Sequence, residues 1–117
     1  MAMTKTELNE IKARLFEGII DFKKTADVSY SYFDIFRLKR ILGKYYREMA
    51  KLKDKNLFKE PVKKAVLQIN SLNEKTDYEM IETDQREDIC AFIIGTALFF
   101  NFISNPDDDI TGEWREW

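Results

Sequence analysis

The stretch SYFDIFRLKRILGKYYREMAKLK, residues 31–53, decides the fold. Within it Ile35, Leu38, Leu42, Tyr45, Met49 and Leu52 recur at steps of 3, 4, 3, 4 and 3, which draws one apolar stripe along an α-helix, with Ile41 widening it on one side. Ser31 to Asp34 supplies the start, and the spacing predicts a helix to about Lys53, roughly 30 Å long at 1.5 Å per residue. A stripe this long and one-sided must be covered by other helices.

The neighbouring sequence supplies them. Thr4-Lys-Thr-Glu7 has capping-box spacing, and Leu8, Ile11, Leu15, Ile19 and Phe22 follow as a single stripe, so a first helix is predicted from there to near Thr25. Pro61 suits the first turn of a third, short helix whose apolar face is Val62, Ala65, Val66, Ile69 and Leu72. Asp84-Gln-Arg-Glu87 is another capping-box spacing. The fourth helix behind it is apolar almost all round, from Ile89 through Phe92, Ile93, Leu98 and Phe99 to Ile103, and such a helix belongs at the centre. Cys90, Ala91, Gly95 and Ala97 are small positions where a neighbour can approach, and Pro106 is the expected stop. Asn73 to Thr83 is the one long connection.

Four glycines and two prolines in 117 residues are under half the usual share of about 12%, which disfavours a loop-rich sandwich or barrel. The expected fold is therefore all-α, an antiparallel bundle of about four helices over residues 1–105 with a short acidic, Trp-containing tail over 106–117. A helix-turn-helix-type arrangement with steeper crossings is the alternative.

The composition also removes chemistry. There is no histidine and a single cysteine, so Ser-His and Cys-His nucleophiles, an imidazole base, Cys/His zinc sites and an internal disulfide all drop out. Glu-x-x-His motifs and Gly-rich phosphate loops do not occur. Asp84, Glu87 and Asp88 lie within a turn and are explained by helix capping and solvent exposure. Asp107 to Asp109 suits a hard cation, but the twelve-residue EF-hand pattern is missing. No catalytic, cofactor-binding or metal residue is assigned, and the chain is not expected to be an enzyme. Met1 to Glu10 reads as a polar helix start rather than an export signal, and Ile89 to Ile103 is fifteen residues against the roughly 20 a membrane span needs. The expected setting is the cytoplasm, with no membrane.

The net charge of −2 conceals a separation of signs. Arg37 to Lys64 carries +8, Glu74 to Trp117 carries −9, and Met1 to Phe36 carries −1. Such asymmetry concerns partners rather than fold. Arg37, Arg40, Lys44, Arg47 and Lys51 follow steps of 3, 4, 3 and 4, each two places after a core position, about 200° around the helix and so facing away from the core. This ridge spans roughly 21 Å. It reads as a solvated face, as a surface for an acidic protein, or as a track for a nucleic-acid backbone. Tyr30, Tyr32, Phe33 and Phe36 crowd the start of the same helix and are expected in the core, where they cap one end of the bundle; the alternative is stacking on bases.

The tail, PDDDITGEWREW from Pro106 to Trp117, holds both tryptophans. A solvating tail has few aromatics, so Trp114 and Trp117 imply docking, on the bundle itself or on a partner. Their i, i+3 spacing predicts one face of a terminal helical turn. Asp107-Asp108-Asp109-Ile110 resembles part of the acidic tail of bacterial single-stranded DNA-binding proteins, which recruits partner proteins. The resemblance covers those four residues and continues here with Thr111-Gly112 where that family ends in Pro-Phe on an OB-fold. In architecture alone, the expected bundle with its tail is similar to the immunity proteins of pediocin-like bacteriocins. The four-residue resemblance implies partner recruitment through Asp107, Asp108 and Asp109; with the docking expected of Trp114 and Trp117, these five residues are the candidate partner-binding site.

The resulting expectation is a small non-enzymatic protein of inhibitor, immunity or regulatory-adaptor type that binds a protein partner. Two other classes stay open: a nucleic-acid-associated protein or ribonucleoprotein subunit using the ridge, and a structural subunit that assembles with copies of itself.

Overall fold

The computed structural model describes residues 3–117, which form an antiparallel bundle of four helices, α1 (Lys5–Thr25), α2 (Tyr32–Lys51), α3 (Lys59–Lys75) and α4 (Thr83–Phe99), with a single 3-10 turn at Lys55–Leu57. The first two helices start where the capping patterns place them. The Glu7 backbone N–H donates to Thr4 Oγ1 at 3.1 Å, and Ser31 N–H donates to Asp34 Oδ2 at 2.9 Å, so that each side chain satisfies an otherwise unpaired helix-start group. Helix α2 ends at Lys51, two residues before the expected Lys53, because Leu52 is extended.

Three local expectations are corrected. Helix α3 is not short: it runs 17 residues to Lys75, through Asn70 and on past Asn73, where the connection is expected to begin. Both asparagines are buried and receive other segments: Asn73 Oδ1 accepts from Ile81 N–H, and Asn70 holds the tail. The start of α4 is set by Glu82, whose N–H donates to Gln85 Oε1 at 3.2 Å, rather than by Asp84 with Glu87. It ends at Phe99, before Pro106, where Asn101 takes a left-handed φ of 61° while Phe102 N–H reaches Ala97 O and Asn101 N–H reaches Leu98 O, a Schellman closure.

From Ile89 to Phe99 no residue of α4 is exposed, in keeping with a central helix. Helix α1 lies along it in antiparallel register, with Arg14 against Asp88 and Leu8 against Gly95. Helices α2 and α3 form the second antiparallel pair, with Asp34 against Lys75 at one end and Glu48 against Lys64 at the other. Tyr45 joins the two pairs by donating its buried hydroxyl to Ile93 O at 2.7 Å, and burial pushes the phenol far above its ordinary range. The aromatic end of the bundle is built from Tyr46, Phe58, Phe99, Phe100 and Phe102, whose neighbouring rings lie 4.9–6.4 Å apart. Of the expected cluster, only Tyr30 is core.

Residues 106–117 fold back on the bundle. Ile110 and Thr111 are buried, and Trp114 and Trp117 are half-buried against the core. The Asn70 side chain clamps this backbone from both sides, donating from Nδ2 to Trp114 O at 2.8 Å and accepting at Oδ1 from Glu116 N–H at 3.1 Å. Asp109 organises the turn, accepting from Thr111 N–H, Thr111 Oγ1 and Arg115 Nη2. The Thr111 hydroxyl is thereby spent, which leaves the Cys90 thiol to donate to it across 3.7 Å. One turn closes at Thr111–Arg115, and Trp117 lies beyond it, not on a shared helical face with Trp114.

A Cβ built on Gly95 would stand 3.0 Å from Leu8 Cδ2 and 3.1 Å from Met3 Cε, so this position sets how closely α1 and α4 approach. Gly95→Leu is expected to lower unfolding stability by about 1–3 kcal/mol, measured by urea titration, because the added atoms force the two helices apart. Asn70→Ala is expected to strand two backbone groups of the tail at a cost of about 1–3 kcal/mol, outweighing alanine's better helix propensity. Both tryptophans lie in the tail, so their emission should shift to the red in this variant while helical circular dichroism persists; unchanged emission would count against the clamp.

Candidate functional site

The ridge residues Arg37, Arg40, Lys44, Arg47 and Lys51 are all exposed, as their two-place offset from the core positions requires. The exposed side chains of α3 run antiparallel beside them. Between the two helices lies an open groove of about 460 Å³, lined by Arg37, Arg40, Ile41, Lys44, Arg47, Gln68, Ser71, Leu72 and Lys75. Its lining therefore holds five cations and no carboxylate, over an aliphatic stretch supplied by Ile41 and Leu72. Lys51 stands apart, in a separate depression with Glu48, Lys53 and Lys64.

Each end of the groove is tied by an ion pair. At one end Asp34, with its carboxylate buried, takes Lys75 Nζ at 2.8 Å and Arg37 Nη1 at 3.9 Å. Burial pushes the Asp34 carboxyl up, but hydrogen bonds from Lys75 Nζ and from the Ser31 N–H and hydroxyl outweigh it, and the group is held below its ordinary value. At the other end Lys64 meets Glu48 at 3.2 Å. Between these ties Arg40, Lys44 and Arg47 have no carboxylate partner among the described residues. The positive field also wraps toward α1. The Lys12 ammonium is pushed down in pKa by partial burial and further by Lys39, Lys5 and Arg47 nearby.

The opposite sign gathers on the other helix pair. A groove of about 640 Å³ between α1 and α4 is lined by Asp21, Asp84, Glu87 and Asp88, with Arg14 as its one cation. Arg14 is spent on Asp88, through Nε at 2.9 Å and Nη2 at 2.8 Å. Among the described residues no group of three or more carboxylates and thiols is placed to hold a metal ion.

The tail candidates divide. Asp107 and Asp108 are exposed. Asp109 is engaged with Thr111 and Arg115, and although burial raises its carboxyl, those hydrogen bonds and the Arg115 charge bring it below its ordinary range. Trp114 and Trp117 lean on the core. The tail reaches α3 at Asn70, whereas the α3 wall of the basic groove is Gln68, Ser71, Leu72 and Lys75, so the tail leaves that groove uncovered.

The α3 wall of the groove is only partly visible in the sequence. Gln68, Ser71 and Leu72 lie within the expected third helix, but Lys75 falls in the expected connection and inside the segment whose net charge is −9. The aromatic group at the start of α2 was also misplaced: Tyr32, Phe33 and Phe36 are exposed, because Phe33 lies four residues before Arg37 on the outward ridge.

No helix among the described residues is long and apolar enough to cross a membrane. Neither a family model, nor a curated protein, nor a solved structure matches the chain.

Asp34 provides a test of the groove's end. A carboxyl held below its unfolded value contributes stability that is complete above that value and vanishes as pH falls through the folded one. The difference in Tm between wild type and Asp34→Ala should therefore be full at neutral pH and shrink below about pH 4. A difference that persists unchanged to about pH 2 contradicts the ion pair.

Proposed function

We propose that this chain is a non-catalytic binding protein, of inhibitor, immunity or regulatory-adaptor type, whose α2–α3 groove receives an acidic surface of a protein partner. The observation that carries the reading is the groove lining, five cations with no carboxylate among them. Leaving Arg40, Lys44 and Arg47 uncompensated costs self-repulsion, which an anionic partner relieves on binding. The aliphatic stretch at Ile41 and Leu72 favours a protein surface over a bare phosphate chain, and the acidic α1–α4 groove opposes a polyanion that wraps the molecule. The absence of histidine and the engagement of the Ser71 hydroxyl with Leu67 O leave the groove without an evident nucleophile and base.

The tail is held by Asn70 of α3 and meets Cys90 of α4, and none of its residues lines the groove. Asp107 and Asp108 remain as a second, smaller contact zone for a basic patch of the same partner.

The test is affinity capture with wild type and with Arg40→Glu/Lys44→Glu, both surface changes. A protein partner held by wild type should be lost with the double variant and should elute as salt rises, since exposed charges are screened beyond a Debye length of about 8–10 Å. Equal retention by both proteins shows that the groove is not the interface. A gel shift at low salt decides the remaining class: tight nucleic-acid binding, abolished by the same two changes, transfers the groove to a phosphate backbone.

A further inference from the structure

Three large aromatic side chains stand in solvent at the start of α2: Phe33 is 81% exposed, Phe36 58% and Tyr32 55%. Soluble surfaces carry single exposed apolar residues without consequence, but a contiguous group marks an interaction site. This group is also in register with the groove. Phe33 precedes Arg37 by four residues, so the outward ridge reads Phe33, Arg37, Arg40, Lys44, Arg47 at steps of 4, 3, 4 and 3, and Phe36 lies one turn from Arg40 on its flank. Lys23 fixes the corner behind them, donating from Nζ to Tyr30 O at 2.7 Å and lying 5.2 Å from the Tyr32 ring centroid.

We infer that the groove's ligand is an acidic amphipathic helix of the partner, laid along α2 and α3, with its carboxylates on the cations and an apolar anchor residue at one end against Phe33 and Phe36. This rests on the groove reading above and specifies its ligand. The cations rise along α2 by about 4.5–6 Å per step, and carboxylates at i, i+3 and i+4 on a helix rise by the same increments, so a helical ligand matches the ridge charge for charge. Half-buried Ile41, with buried Leu72 beneath it, takes the edge of its hydrophobic face, as in other helix-in-groove complexes. Single-stranded nucleic acid fits less well. Its bases need aromatic platforms interleaved with the cations along the track, and here the aromatics are gathered at one end.

The experiment uses the full chain and three fluorescein-labelled probes read by anisotropy: a designed helix of about 18 residues with glutamates on one face and leucine and phenylalanine on the other, polyglutamate of the same length, and an oligo-dT. Wild type should bind the amphipathic helix about tenfold or more tightly than polyglutamate. Phe33→Ser/Phe36→Ser should remove that advantage while leaving polyglutamate binding as it was, and Arg40→Glu/Lys44→Glu should weaken both acidic probes by about tenfold or more. All three proteins are checked for unchanged helical circular dichroism. Unaltered affinity of the amphipathic helix for the serine variant overturns the aromatic anchor while sparing the groove. Absence of binding to both acidic probes, or indifference to Arg40→Glu/Lys44→Glu, overturns the groove reading itself. Tighter binding of oligo-dT than of either peptide overturns the choice of a helical protein ligand.

Discussion

Helix α4 has no polar face from Ile89 onward, and the rest of the molecule is arranged around satisfying it. A helix that is apolar all round is stable in water only when covered on every side. Helix α1 covers one side through the close approach at Gly95, and α2 another through the Tyr45–Ile93 hydrogen bond. The remaining side is closed by the tail, where Ile110 and Thr111 are buried and Thr111 meets Cys90. The acidic tail is thus the last piece of wall around a helix that the other three helices alone would leave partly wet.

Such an arrangement separates the stripes that build the core from the stripes that face solvent. Helices α2 and α3 each turn one stripe inward, and their outward stripes contribute nothing to the core. Those outward stripes can therefore carry five cations at a density that would be costly near buried groups. The two ion pairs at the groove's ends do more for register than for stability, since exposed pairs contribute little. Asp34 is the exception: its carboxylate is buried, hydrogen-bonded to the start of α2 and paired with the end of α3, so it connects helix capping to the placement of Lys75 and Arg37.

Legibility in the sequence followed the range of the interaction. The starts of α1 and α2, the stripes of all four helices and the central place of α4 were readable, because capping and periodicity act over three to seven residues. The end of α3 is the less legible part: Asn73 disfavours a helix interior by local propensity, and only its long-range partner, Ile81, justifies it there, while Asn70, inside the expected helix, takes the tail. The stop of α4 was assigned to Pro106 because proline is the visible breaker, whereas Asn101 takes the left-handed conformation that ends the helix. Half of the candidate site was legible: the α2 ridge is one helix read by itself. The α3 wall depends on which helix packs beside α2, whereas the outward place of Phe33 follows from its four-residue spacing to Arg37.

The sequence by itself determined the class of the fold, the charge carried by each helix and the chemistry the chain lacks, since these follow from residue identity and short-range spacing. Only the tertiary structure decided that four of the five ridge residues share a groove with Lys75, that Lys51 does not, and that the tail is held at Asn70 and lines none of that groove. The physical reason is that a helix's period states which residues share a face but not which neighbour that face meets. That choice is made by packing between segments far apart in the chain.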